Sequence, residues 1–192
     1  MNPRSVWNVP LDLRDWALVF AAPTNRQEFD RQYSHSYYLT QFTGWDHYFS
    51  EIASDFSEIF EPLQSVGLNV YPAASVSLFR SAVRCHRCVL IVAHCEGGNK
   101  IEFRDQLIGV ESLAKCLPRK AGAIYDYSIC QLSPESFEIL KRRSPKSGIC
   151  GYKTKIDARS SINYIGYFLS QFIREPISYI RADLLAKKKF LQ

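Results

Sequence analysis

"VLIVAHCEGG", residues 89–98, decides the fold: a run of strand-forming apolar residues breaks off in a histidine, a cysteine, an acid and two glycines. An unbroken apolar run suits a strand covered on both faces, as inside a parallel sheet, whereas a strand with one wet face would alternate. His94 then stands at the carboxyl end of that strand. In open α/β sheets this edge gathers ligands and catalytic groups, because a rigid scaffold holds its loops.

The flanking sequence supplies the rest of such a sheet. "WALVFAAP" (16–23) reads as a first buried strand, stopped by Pro23 and Asn25. From Trp45 to Leu63 apolar residues recur at three and four, which predicts a long amphipathic helix ended near Gly67. "LNVYPAA" (68–74) is a second strand, "SVSLFRSAVR" (75–84) a short helix and "RCVLIVA" (87–93) the third strand. "NKIEFRDQLI" (99–108) resembles a small hairpin, and "GVESLAKCLP" (109–118) a helix closed by its proline. "GAIYDYSICQ" (122–131) is a fourth strand, followed by a helix start with Ser133 as N-cap, Pro134 in the first turn and Glu135 complementing the dipole. "SGICGYKT" (147–154) is a fifth strand, and the spacing of apolar residues from Ile162 to Ile173 predicts a last amphipathic helix stopped by Pro176. Strands alternating with helices imply an α/β domain, a mostly parallel sheet of about five or six strands with helices on both faces. One such domain fills residues 1–192, with its core at about 15–175.

Composition narrows the function. The 192 residues are 46% hydrophobic and 14% aromatic, and no apolar run approaches the length of a membrane span. The opening "MNPRSVWNVPLDLRD" mixes charge with proline and reads as no secretory signal, and six cysteines without one read as reduced thiols. A soluble, cytoplasmic protein without a membrane partner is expected. The net charge of +5 gathers in "KRRSPK" (141–146), read as an exposed loop, and "AKKK" (186–189), read as a fraying terminus. Nucleic-acid binders more often carry a basic stripe with interleaved aromatics, so direct nucleic-acid binding is the least supported reading.

"CHRC" (85–88) with "HC" (94–95) invites a zinc reading. An extended strand separates Cys88 from His94 by roughly 20 Å, whereas zinc ligands must converge to about 2.0–2.3 Å from one ion. No metal and no other cofactor is expected.

Strands three and four, if adjacent, bring His94 and Cys130 to one edge. A thiol of pKa about 8.5 needs an imidazole nearby to act as a nucleophile at neutral pH. A histidine at a strand end is by itself more often a hydrogen-bonded structural residue, and a cysteine is more often core; their pairing is what argues for chemistry. Cys88, Cys116 and Cys150 read as structural.

With these residues in view, the segment from Val89 to Gln131 resembles the caspase-like cysteine peptidases, the clan that holds metacaspases, gingipains, separase and the CHAT proteases typical of bacteria. There a hydrophobic strand ends in His-Gly, a hairpin and helix follow, and the next strand ends in the nucleophilic cysteine. "IEFRDQLIGVESLAKCLP" (101–118) is most similar to the CHAT branch. The resemblance implies a His94–Cys130 dyad in a cysteine endopeptidase, oxyanion donors in the backbone N–H groups of Cys95 and Cys130, a protein substrate, and an activating or sensor partner in prokaryotic antiviral defence or cell death. Two features depart from the clan. Cys95 stands where glycine is usual, and Gln131-Leu132 follow the nucleophile where a small residue and glycine are common. A catalytically silent caspase-like binding module is therefore the alternative.

Relatives that cut after Arg or Lys line the pocket with an acid. Here Ser128 precedes Cys130 by two residues, and Asp126 lies two further back on the same face of an extended strand. Asp126 either points toward the cleft with Ser128 and binds substrate, favouring a basic side chain before the cut, or is buried with a partner. By the same resemblance, a basic-specific enzyme would cut itself in the loop after Arg142 or Arg143.

Overall fold

A computed structural model describes residues 6–152 and 158–190, with the backbone alone at Ile129 and Cys130. The chain begins with a short strand, β1 (Pro10–Leu11), and enters the main sheet through β2 (Trp16–Phe20). Helix α1 (Arg26–Tyr33) follows, then α2, which is continuous through Trp45–Tyr48, a π-helical stretch Phe49–Ala53 and Ser54–Ser65. Next come β3 (Asn69–Tyr71), α3 (Val76–Cys85) and β4 (Cys88–Val92). Three short strands, β5 (Cys95–Glu96), β6 (Lys100–Glu102) and β7 (Leu107–Gly109), lead into α4 (Val110–Ala114). The second half holds β8 (Ile124–Gln131), α5 (Pro134–Arg143), β9 (Gly148–Tyr152), α6 (Ala158–Ser170), β10 (Ile177–Ser178) and α7 (Tyr179–Phe190).

The fold is mixed α/β. Its five-stranded sheet has the order β3-β2-β4-β8-β9, and every neighbouring pair is parallel. Strand alternation divides the core. Trp16, Leu18, Phe20, Leu90 and Val92 face one layer with α2, α6 and α7, while Ala17, Val19, Val89, Ile91 and Tyr125 face a second with α3, α4 and α5. All five residues of β2 and of β4 are buried, which explains their uniformly apolar composition. Among the described residues no helix is long and apolar enough to cross a membrane.

The boundaries shift where side chains compete for backbone. Ser75 is an N-cap that accepts the Leu78 amide, so α3 starts at Val76 close to where it was expected, while the second strand already ends at Tyr71. The expected hairpin is a three-stranded antiparallel sheet, because β6 also pairs with β5. "KRRSPK" is not a loop throughout: Lys141, Arg142 and Arg143 complete the last turn of α5, where cations complement the helix dipole. Ser144 beyond them is buried and donates to the Pro118 carbonyl at 3.0 Å. The basic terminus is likewise ordered, since Ala182 and Ala186 press α7 into the core and Lys187 pairs with Asp183 at 2.6 Å. The end of the predicted fifth strand, 153–154, lies outside the described residues.

Candidate active site

β4 ends at Val92, and the chain carries Ala93 and His94 onto the carboxyl edge of the sheet before turning into β5. There the His94 ring is half-buried and stacks on Tyr38, with centroids 5.1 Å apart and planes 18° apart; Tyr37 stands 6.2 Å away. The His94 carbonyl accepts the Glu102 amide at 3.0 Å.

Next in the sheet, β8 pairs with β4 in parallel register as far as Val92 opposite Ser128. Cys130 lies two residues beyond Ser128 and His94 two beyond Val92, so both follow directly on the last paired step of this ladder. The Cys130 side chain lies outside the described residues. On the other flank of β8 the register breaks: Tyr127 pairs with Gly151 and Gln131 with Tyr152, so Ser128, Ile129 and Cys130 bulge opposite a single step of β9. Bulges of this kind re-aim side chains and recur beside active sites. Gly151 makes room, since a Cβ there would meet the Tyr127 carbonyl at 2.8 Å.

Cys95, expected as an oxyanion donor, pairs with Ile101 in β5. His94 and Glu102 form the hydrogen-bonded pair beside it, and in an antiparallel ladder the next pair is the non-bonded kind. The Cys95 amide is thus directed away from β6, on a strand that packs against β8. Gly97 and Gly98 then turn with φ of +60° and +74°. The Gly98 carbonyl accepts both the Ser133 amide and the Ser136 hydroxyl at 2.9 Å, which ties the loop after His94 to the helix after Cys130. Ser133 caps that helix by accepting the Ser136 amide.

Asp126 and Ser128 take the buried of the two orientations open to them. Ser128 donates to Asp126 at 2.8 Å and the Tyr179 hydroxyl donates to it at 2.7 Å, with 6% of Asp126 exposed and neither residue in the cleft lining. Burial pushes the Asp126 carboxyl above its ordinary range, against the hydrogen bonds it accepts. An acid so enclosed does not meet a substrate side chain. Cys150 sits 3.3 Å from the same Tyr179 hydroxyl, and burial raises its thiol pKa well above the usual value.

A cleft of about 690 Å³ opens beside His94. Phe20, Ala22, Val92 and Ala93 form its sheet side, Cys95–Gly97 and Gln131 one rim, and Ile52 and Ile162 close it from α2 and α6. Its far wall was missed in the sequence: Tyr37, Tyr38 and Phe42 from the segment joining α1 to α2, with His47 from the first turn of α2 and Glu51 from its π-helical part. A tyrosine pair next to a helix start was the available signal. Arg159 completes the rim, held 3.3 Å from the buried Asp55. The cysteine and histidine residues between the end of α3 and the start of β4 have different surroundings: His86 bonds the Tyr71 hydroxyl at 2.9 Å, Cys88 is buried in the core and Cys85 is exposed. Among the described residues no group of three or more His, Cys, Asp or Glu converges to hold a metal ion.

Set against known proteins, the chain matches no family model, no curated protein and no solved structure.

Proposed function

We propose that the chain is a cysteine endopeptidase of caspase-like build, with Cys130 as nucleophile and His94 as its proton carrier. One observation carries the reading: β4 and β8 are adjacent and parallel, so His94 and Cys130 each follow by two residues the last paired step of neighbouring strands, with His94 lining a cleft. In the reaction His94 accepts the Cys130 proton, and the thiolate attacks a peptide carbonyl. The resulting oxyanion is bound by the amides of Cys95 and Cys130. His94 then gives the proton to the leaving amine, and water releases the acyl group from sulfur. Stacking on Tyr38 supports this role, because it holds the imidazole plane. By resemblance to the CHAT branch, a protein partner switches the enzyme on, in the cytoplasm of a bacterial host under attack.

Incubation with a whole proteome, followed by mapping of new peptide termini, tests the reading. Wild type should generate termini that Cys130→Ala and His94→Ala each fail to generate, and the double variant should resemble either single one, because residues acting as a unit do not add. Cys130 should also react with iodoacetamide at pH 6 far faster than the other thiols. Absence of new termini together with an ordinary Cys130 rate would leave a silent binding module.

A further inference from the structure

The wall of the cleft opposite the β-strands belongs to neither half of the dyad. Tyr37 is 66% exposed beside the His94 ring, and Phe42 stands half-buried next to Tyr38 with centroids 5.4 Å apart. An exposed aromatic of this size is ordinarily mobile, yet this segment is braced. The Tyr33 hydroxyl donates to the Phe42 carbonyl at 2.8 Å, the Leu39 amide to the buried Ser36 hydroxyl at 2.9 Å, and Phe42 packs edge-on against the buried Tyr48, whose own hydroxyl is bonded to the Pro23 carbonyl at 2.7 Å. A preorganised aromatic shelf costs little further ordering when a ligand settles on it.

Charge decides which ligand. The interior of the cleft below the shelf is apolar, formed by Ala22, Ile52, Val92 and Ile162. Its charged groups stand at the rim: Glu51 is exposed, Glu96 is half-buried in the β5 segment, and Arg159 is engaged by Asp55. A lysine or aspartate side chain reaching inward would lose water without meeting a counter-charge, whereas an aromatic or large aliphatic side chain would trade water for apolar contact on both sides.

We infer that Tyr37 and Phe42, with the apolar interior beneath them, form a subsite for a bulky apolar or aromatic side chain of a peptide substrate. The inference rests on the endopeptidase reading, since it names that site's substrate class. It replaces a basic preference based on Asp126, which is enclosed by Ser128 and Tyr179.

Binding separates the two claims, because it needs no turnover and no activating partner. The Cys130→Ala protein is titrated by isothermal calorimetry with acetylated hexapeptides identical except for one position carrying Phe, Leu, Asp or Lys. Phe and Leu peptides should bind at least tenfold tighter than Asp and Lys peptides, and Tyr37→Ala with Phe42→Ala should erase that margin. The melting temperature of the double variant shows whether the shelf was lost by unfolding; if it was, Tyr37→Ala alone, at an exposed position, carries the comparison. Equal or tighter binding of Asp or Lys peptides, or no binding of any peptide, overturns the inference. Loss of proteome cleavage by wild type bears on the endopeptidase reading alone.

Discussion

The imidazole of His94 lies nearly parallel to the ring of Tyr38, 5.1 Å between centroids, so the orientation of the candidate base is set by a residue outside the strand that carries it. Offset stacks of this kind contribute about 0.5–1.5 kcal/mol, enough to hold one ring orientation over others. Tyr38→Ala should lower kcat about tenfold or more through misorientation of the base, whereas Tyr38→Phe, which keeps the ring, should retain activity. A Phe variant as damaged as the Ala variant would move the role from the ring to the hydroxyl.

Gly98 joins the two halves of the site by its carbonyl, and its conformation admits no ordinary side chain. A Cβ there would stand 3.1 Å from the Ser133 nitrogen and 3.3 Å from its Cβ, on a residue whose φ is +74°. Gly98→Ala should destabilise the fold by about 1–3 kcal/mol, read as a lowered urea midpoint. Gly122, whose φ is also positive but which has open space around it, provides the comparison: Gly122→Ala carries the backbone strain without the clash and should cost less.

Strand content was legible because burial on both faces demands unbroken apolar runs, as in β2 and β4. The features that shape the cleft were less so. A bulge is an extra length of one strand relative to its neighbour, and no periodicity within "GAIYDYSICQ" reveals it; only the close approach of Gly151 to Tyr127 does. Helix α1 buries only Phe29 and Gln32 among polar residues, so its apolar stripe is too thin to read. The basic end of α7 hid the buried pair Ala182 and Ala186, whose four-residue spacing was the signal.

The thiols should differ in reactivity according to their surroundings. Burial pushes Cys88 up to about 12, and Cys150 is raised by burial and by the Asp126 carboxyl, while Cys85 is exposed. In folded protein treated with iodoacetamide at pH 8, peptide mapping should find Cys85 modified and Cys88 and Cys150 intact until denaturant is added. Early labelling of Cys88 would mean that β4 opens readily and does not hold the sheet.

Asp126 gives the fold a pH dependence whose sign follows from its enclosure. Its folded pKa is raised by burial above the unfolded value of about 3.9. Below that value the group is protonated in both states, and its contribution to stability is fully present. As pH rises toward the folded pKa the unfolded chain releases its proton first, so the contribution shrinks, and beyond the folded pKa it is lost. Asp126→Asn cannot ionise and keeps the shape of the group. The stability of wild type relative to Asp126→Asn, measured by urea unfolding at several pH values, should therefore fall as pH rises from about 4 and level off once the folded carboxyl has ionised. Tyr179→Phe removes one of the hydrogen bonds that favour the ionised form, and should both cost about 1–3 kcal/mol and extend the decline to higher pH. A difference that grows with pH instead would mean that the bonds from Tyr179 and Ser128 outweigh burial, and that the carboxylate is held charged beneath the strand that leads to Cys130.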